Sequence, residues 1–288
     1  MGQRSDLAGR VVVVTGGARG VGEATARLLT TYGASVAICD REGDLVAKTA
    51  AALGVLGHAV DVTDPVAFAT FLDEVEAALG PIDVLVNNAG IMPLSRIEEE
   101  TRRATRHLVA VNLLAVIEGS KEMVRRWKTT GRAGHLVNVS SAAGRLPVAG
   151  AATYTATKHG VSGFTNALHV EFTADRTPIH ATVVHPAIIR TELSAGFRDN
   201  KGPAKPVTAE QVAAAIVDLL QHPQPEVYVP RGLGVAVRTG GLIPRRVGEW
   251  LNRVLGGERA ALDALAHPAR RSYQERVDAS VREEENHE

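Results

Sequence analysis

The sequence predicts a doubly wound α/β fold, a parallel sheet of about seven strands with helices on both faces, followed by a C-terminal helical extension. Two observations predict the sheet. Short β-branched runs alternate with longer amphipathic stretches, the pattern of repeated βαβ units, and the runs are nearly continuous in apolar residues, as strands covered on both faces must be. A third observation predicts the extension, because the composition changes after Pro230: from Arg231 to Glu288 there is no lysine, and Arg231–Arg271 holds eight arginines against three acids.

In chain order the strand candidates are Val11–Thr15, Ser35–Cys39, Gly57–Val60, Val84–Val86, His135–Val139, His180–Val184 and Val227–Val229. The helical stretches between them are Val21–Tyr32, Asp44–Leu53, Pro65–Leu79, Glu98–Trp127, Tyr154–Phe172 and Ala209–Leu220. The segment Ala187–Val207, rich in Gly, Pro and charge between a strand and a helix, reads as a long active-site loop with short helical pieces. These elements divide the chain into a Rossmann-type catalytic domain over residues 1–230 and an extension over 231–288. Within the extension, Val247, Trp250, Leu251, Val254 and Leu255 follow helical spacing after Pro244 and make one apolar face. That face is expected to cover the substrate cleft, to meet a partner subunit, or to rest on a membrane with its arginines toward anionic headgroups.

Bulk composition narrows the function classes. With 288 residues, 45% of them hydrophobic, the chain can bury one large core, and a formal net charge of zero argues against a whole-domain nucleic-acid binder. The single cysteine, Cys39, lies in an apolar run and reads as a buried thiol rather than a disulfide or metal ligand. No apolar leader marks Met1–Arg10, and no stretch reaches the length of a spanning helix, so a cytoplasmic location is expected.

Two motifs carry chemistry. The first is Thr15-Gly-Gly-Ala-Arg-Gly-Val-Gly22, after the first strand and before the first helix. There Gly16 allows a tight turn, while Gly20 and Gly22 let the backbone approach a pyrophosphate and the helix approach the sheet; amides of the helix N-terminus, from Val21 on, would hold the phosphates. Asp40 ends the second strand, where a carboxylate can accept both hydroxyls of an adenosine ribose. A 2′-phosphate at ~4 Å would be repelled by roughly 4 kcal/mol at an effective dielectric of ~20, which favours NAD. Arg19 and Arg41 argue the other way, since either could pair with that phosphate, so NADP stays possible.

The second motif is Tyr154-Thr-Ala-Thr-Lys158, a phenol and an ammonium on one helix face. For the phenol to act as a base near neutrality, its pKa must fall by about 3 units from about 10, roughly 4 kcal/mol. One ammonium within about 4 Å supplies about that much at an effective dielectric near 20, so Lys158, helped by a positive nicotinamide ring, is expected to suffice. Ser140 and Ser141 point to opposite faces at a strand end, and only one of them can reach the tyrosine. His159 and His185 read as supporting or surface histidines.

Taken together, these motifs resemble the single-domain branch of the short-chain dehydrogenase/reductase family over roughly Leu7 to Pro230. Thr15-Gly16-x-x-x-Gly20-x-Gly22 matches that family's cofactor loop and Asn87-Asn88-Ala89-Gly90 its motif after the fourth strand, while Asp61-Val62 falls at its adenine contact. Ser141, thirteen residues before Tyr154, has the spacing of the catalytic serine and tyrosine. The resemblance implies that Tyr154 is the acid/base, that Lys158 also holds the nicotinamide ribose, that Ser141 orients the substrate oxygen and that Asn112 serves a proton relay. After Pro186 it places the Ile189 backbone and the Thr191 side chain on the carboxamide, although Ala187 stands where the family usually has glycine. The implied activity is hydride transfer between a nicotinamide cofactor and a secondary alcohol or ketone, apolar in character, by a homodimer or homotetramer. The alternatives are an NADPH-dependent 3-oxoacyl-thioester reductase and, in another class, a nucleotide-binding sensor or scaffold without catalysis.

Overall fold

A computed structural model of the protein describes residues 7–194, 196, 206–240, 260–265 and 267–283. Seven strands form one parallel sheet: β1 (Val11–Thr15), β2 (Ser35–Asp40), β3 (Leu56–Ala59), β4 (Val84–Asn87), β5 (Gly134–Val139), β6 (Ile179–Pro186) and β7 (Glu226–Val229), in the order β3-β2-β1-β4-β5-β6-β7. The order reverses between β1 and β4, whose register pairs Val12 with Val84 and Val14 with Val86. A crevice opens at such a reversal, beyond the carboxyl ends of the strands.

Each strand divides its side chains between two apolar layers, because successive residues point to opposite faces. Val12 and Val14 join Val36, Ile38, Val86 and Val137 under helices α1 (Gly20–Thr31), α2 (Gly43–Leu53) and α7 (Ala209–Gln221). Val11 and Val13 join Cys39, Leu85 and Leu136 under α3 (Pro65–Leu79), α5 (Ala115–Thr130) and α6 (Ala152–Ala174), through Phe71, Leu72, Met123, Trp127 and Phe172. Cys39 is the buried thiol its surroundings suggest, and burial raises its pKa. Side-chain caps set the starts of two helices: the Asp64 carboxylate accepts from Val66 N and Ala67 N at the start of α3, and Thr208 and Gln211 form a reciprocal capping box on α7.

The expected helix Glu98–Trp127 is the one element that differs in kind. It begins at Arg102 as α4 (Arg102–Val109), because the Thr101 hydroxyl accepts from Ala104 N and fixes the first turn there. It then widens into a π turn over Ala110–Leu114 before continuing as α5. Past the sheet lie α8 (Arg231–Gly240), α9 (Ala260–Leu265) and α10 (Arg271–Glu283). The apolar face Val247–Leu255 lies outside the described residues.

Burial of polar groups has a consequence for acid stability. His135, on β5, is 3% exposed, its Nε2 2.8 Å from Thr182 Oγ1, and burial pushes its imidazole down to about 3, aided by His180 and Arg10. Between the unfolded value near 6.5 and the folded value near 3, the unfolded chain binds a proton that the folded chain does not, so stability is lost as pH falls through that window. By pH 4.5 the loss from this residue is about 3 kcal/mol. Urea midpoints at pH 7 and 4.5 should therefore fall more in the wild type than in His135→Asn; equal falls would assign acid sensitivity to other groups.

Candidate active site

The ends of β1 and β4 are laced together beside the crevice. The Thr15 hydroxyl accepts from the backbone amides of Asn88 and Ala89, each at 3.0 Å, and Asn88 Nδ2 donates to the carbonyls of Thr15 at 2.9 Å and Gly16 at 3.1 Å. Gly16 turns the chain with φ +62°, a backbone that side chains disfavour. At Gly22 an added Cβ would stand 2.1 Å from the Gly16 carbonyl oxygen, so only glycine lets α1 start this close to the turn. The first turn of α1 thus faces the crevice with its amides open, the geometry of an anion site.

Around this turn the candidate cofactor residues converge on one cavity of about 1000 Å³. Gly16, Arg19, Gly20, Val21, Asp40, Arg41, Asp61, Val62, Asn88, Ala89, Gly90, Tyr154, Lys158, Ile189 and Thr191 all line it. Pro186 and Gly22 do not; Pro186 ends β6 and Gly22 acts from beneath the turn. Asp40 accepts from Ala18 N and Glu42 N, both at 3.3 Å, which fixes its carboxylate toward the glycine turn. Asp61 Oδ1 accepts from the Thr63 amide at 2.9 Å and its hydroxyl at 2.7 Å, holding the β3 exit in a tight loop. These residues fit a dinucleotide: an open helix N-terminus stands beside a carboxylate at a strand reversal, where a pyrophosphate and a ribose could lie.

Tyr154 and Lys158 project from α6 into the same cavity, both buried. The Ser141 hydroxyl accepts from Ala143 N at 3.1 Å and stands beside the Tyr154 phenol, whose pKa it lowers. Ser140 points away, as opposite faces of a strand end require: its hydroxyl donates to the Lys158 carbonyl at 2.9 Å and meets Ser162 Oγ at 3.0 Å. Lys158 Nζ donates to the Val139 carbonyl at 3.0 Å and lies 5.8 Å from the centre of the Tyr154 ring.

The electrostatics correct one expectation. Burial pushes the Tyr154 phenol up to about 12, against the lowering by Ser141, and pushes the Lys158 ammonium down to about 8. Desolvation, which the attraction of a single ammonium does not outweigh here, opposes the charged form of both groups. At neutral pH this leaves Tyr154 a phenol.

Asn112 is fully buried in the π turn, where its Oδ1 accepts from the Ile91 amide and its Nδ2 donates to the Ile91 carbonyl, both at 2.8 Å. Its side chain therefore fixes the strand-exit segment that follows Gly90. A Cβ at Gly90 would sit 3.2 Å from Asn112 Oδ1 and 3.5 Å from Lys158 Nζ, so this exit segment, Asn112 and Lys158 meet at one point.

The two histidines take the supporting and surface places read for them, whereas a wall of the site had no reading in the sequence. His185 is fully buried, stacks on Tyr228 at 4.7 Å and has Nδ1 3.1 Å from the Ser141 carbonyl, so it backs the serine; His159 is exposed, as a surface histidine should be. A wall from the far end of the chain closes the cavity: Tyr273, Arg276, Val277 and Ser280 of α10 line it. The Met92 amide donates to Tyr273 Oη at 2.8 Å, Arg270 donates to the carbonyls of Met92 and Leu193, and Ser280 Oγ lies 3.1 Å from His107 Nε2. Tyr273, Val277 and Ser280 are spaced as one helical stripe, so a single face of α10 meets the cavity.

Comparison with known proteins agrees with this geometry. The profile described as short chain dehydrogenase matches residues 10–202. SadH of Mycobacterium tuberculosis, an oxidoreductase by name, is 32% identical over 283 residues, covering 96% of this chain and 97% of its own length. The 3-alpha-(or 20-beta)-hydroxysteroid dehydrogenase of Mycobacterium bovis is 35% identical over 191 residues, which cover 65% of this chain and 72% of that one. Among solved structures, a short chain dehydrogenase/reductase of Burkholderia phymatum in complex with NAD superposes with a TM-score of 0.74 at 22% identity, over 81% of this chain and 93% of that chain. A seven-stranded parallel sheet with this order, the glycine turn at its reversal and the match over residues 10–202 leave one assignment: the chain belongs to the short-chain dehydrogenase family.

Proposed function

We propose that the protein is an NAD-dependent oxidoreductase interconverting an apolar secondary alcohol and its ketone. One observation carries the reading: Tyr154 and Lys158 stand in the wall of the same cavity as the glycine turn, with Ser141 beside the phenol. The hydroxysteroid dehydrogenase among its relatives supports an alicyclic substrate, as does the apolar wall given by Ile91, Val111, Leu193 and Val277.

In this reading the α1 amides and the turn Gly16–Val21 hold a pyrophosphate, Asp40 the adenosine ribose, and Asp61 and Val62 the adenine. Asn88, Ala89 and Gly90, with Tyr154 and Lys158, hold the nicotinamide ribose, and Ile189 with Thr191 the carboxamide. When bound, the cofactor exchanges a hydride with the carbinol carbon. Tyr154 exchanges the matching proton with the alcohol oxygen at its Oη, and Ser141 Oγ keeps that oxygen in line. Lys158 stabilises the phenolate as it forms. Asn112 fixes the π turn and the exit of β4, the framework for a water that carries protons past Lys158.

The raised phenol pKa gives the pH dependence its sign. Ketone reduction needs the protonated Tyr154, which predominates below a pKa of about 12, so its rate should be flat through neutral pH. Alcohol oxidation needs the phenolate and should climb with pH across the neutral range. Initial rates in both directions between pH 6 and 9.5 test this; an oxidation rate independent of pH would remove Tyr154 as the base.

Fluorescence titration with NADH and NADPH, then turnover of secondary alcohols of increasing ring size, tests the function itself. Preference for NADPH with reduction of 3-oxoacyl thioesters would select the thioester reductase. Cofactor binding without turnover of either substrate class would select a sensor. We further propose that the protein is a homo-oligomer, to be tested by light scattering at micromolar concentration.

A further inference from the structure

Arg19 precedes α1, and its position in the glycine turn suggests a cation waiting for a 2′-phosphate. Its surroundings say otherwise. Its Nη2 is ion-paired with Glu42 on the loop after β2, and its Nη1 lies 3.1 Å from Glu192 Oε2 beyond β6. The same Glu192 oxygen takes Arg276 Nη2 of α10 at 2.7 Å. Asp40, two residues before Glu42, adds to the negative field on Arg19. All five side chains line the cavity.

Resting on the nicotinamide-cofactor reading above, we propose that Glu42 and Glu192 determine cofactor specificity by occupying Arg19, so that the guanidinium which would welcome a 2′-phosphate is already neutralised. A 2′-phosphate brings a charge of about −1.5 to −2 to the Asp40 carboxylate. To pair with Arg19 it must displace Glu42, and that leaves Glu42 unpaired, with Asp40, beside the incoming anion. Asp40 repels the phosphate directly, whereas Glu42 and Glu192 act through Arg19. An adenosine ribose without the phosphate needs only Asp40 and leaves the pairs intact. The arrangement converts an arginine at an NADP-like position into part of an NAD site.

The test uses fluorescence titration of the full-length protein with NADH and NADPH, and reads the ratio of the two dissociation constants. A structural role at these positions would move both constants together; the proposal moves their ratio. The wild type should prefer NADH. Glu42→Gln should tighten NADPH by about tenfold while NADH changes by less than about threefold. Glu192→Gln should act in the same direction and less strongly, because Arg276 shares its carboxylate. Adding Arg19→Ala to Glu42→Gln should erase the gain, whereas Arg19→Ala alone should leave the ratio near the wild-type value. An NADH-preferring wild type whose ratio is unmoved by Glu42→Gln would overturn the proposal, and so would a gain that survives loss of Arg19. A wild type that prefers NADPH would overturn it too. If the wild type binds neither nucleotide, the cofactor reading itself fails, and that result is distinct from all of these.

Discussion

Tyr154→Phe is expected to lower turnover by roughly 10³-fold in both directions, while NADH affinity stays within about threefold of the wild type. The phenol is the group in the cavity that can both give and take a proton at the alcohol oxygen, and phenylalanine keeps its ring packing against Met92, Leu94 and Leu108. Lys158→Ala should damage binding as well as turnover, because the ammonium stands beside both the phenol and the ribose position. The two serines separate the chemistry from the scaffold. Ser141 stands beside the phenol, so Ser141→Ala should cost turnover, with about 1 kcal/mol of stability lost as well because Ala143 N loses its cap. Ser140 is bonded to the Lys158 carbonyl and Ser162, so Ser140→Ala should cost about 1 kcal/mol of stability with turnover largely kept. A fully active Tyr154→Phe enzyme, or equal losses of turnover at the two serines, would refute the assignment.

What the sequence disclosed and what it hid follow from the range of the interactions. The sheet was legible because its central strands are local runs with both faces buried, whereas the edge strands β3 and β7 are only partly covered, and every strand candidate lies within a residue or two of its place. The glycine turn and the Tyr154/Lys158 pair were legible for the same reason: three or four residues contain the whole signal. The break at Thr101 was also local, a hydroxyl three residues before an amide that it caps, but the helix-favouring glutamates and arginines on either side masked it. The pKa of Tyr154 was misjudged because charge spacing is written in the sequence and burial is not. The wall made by α10 depends on contacts such as Met92 to Tyr273, 181 residues apart, and His107 to Ser280, 173 apart, which no local pattern announces. The loss of lysine and gain of arginine after Pro230 marked that region as different without saying what it touches. The same limit applies to Arg19, whose partners Glu42 and Glu192 come from two other strand exits.

Removing residues 231–288 should cost roughly 10²-fold or more in turnover and should also lower stability. The first effect follows from Tyr273, Val277 and Ser280, which form one side of the cavity; without them water reaches Tyr154, and the substrate loses the surface that orients it. The second follows from the cluster of Met92, Leu94, Leu108, Ala143, Ala151 and Tyr154, which Ala264 completes and which the truncation would leave facing solvent. A smaller change isolates the lock between wall and strand exit. Tyr273→Phe keeps the ring but removes the oxygen that accepts from Met92 N, stranding a buried amide at a cost of about 1–3 kcal/mol. Its melting temperature should fall and KM should rise, with NADH affinity unchanged, since Tyr273 lies with Met92 and Ser280 rather than with Arg19 and Asp40. If the extension instead rests on a membrane, the truncated enzyme should stay folded and turn over small alcohols. The full chain should then sediment with anionic vesicles at low salt and release at high salt, because the attraction is screened over about 8–10 Å at physiological ionic strength. Full activity of the truncated enzyme on bulky alcohols would contradict both, since a wall that can be removed without loss was never shaping the reaction.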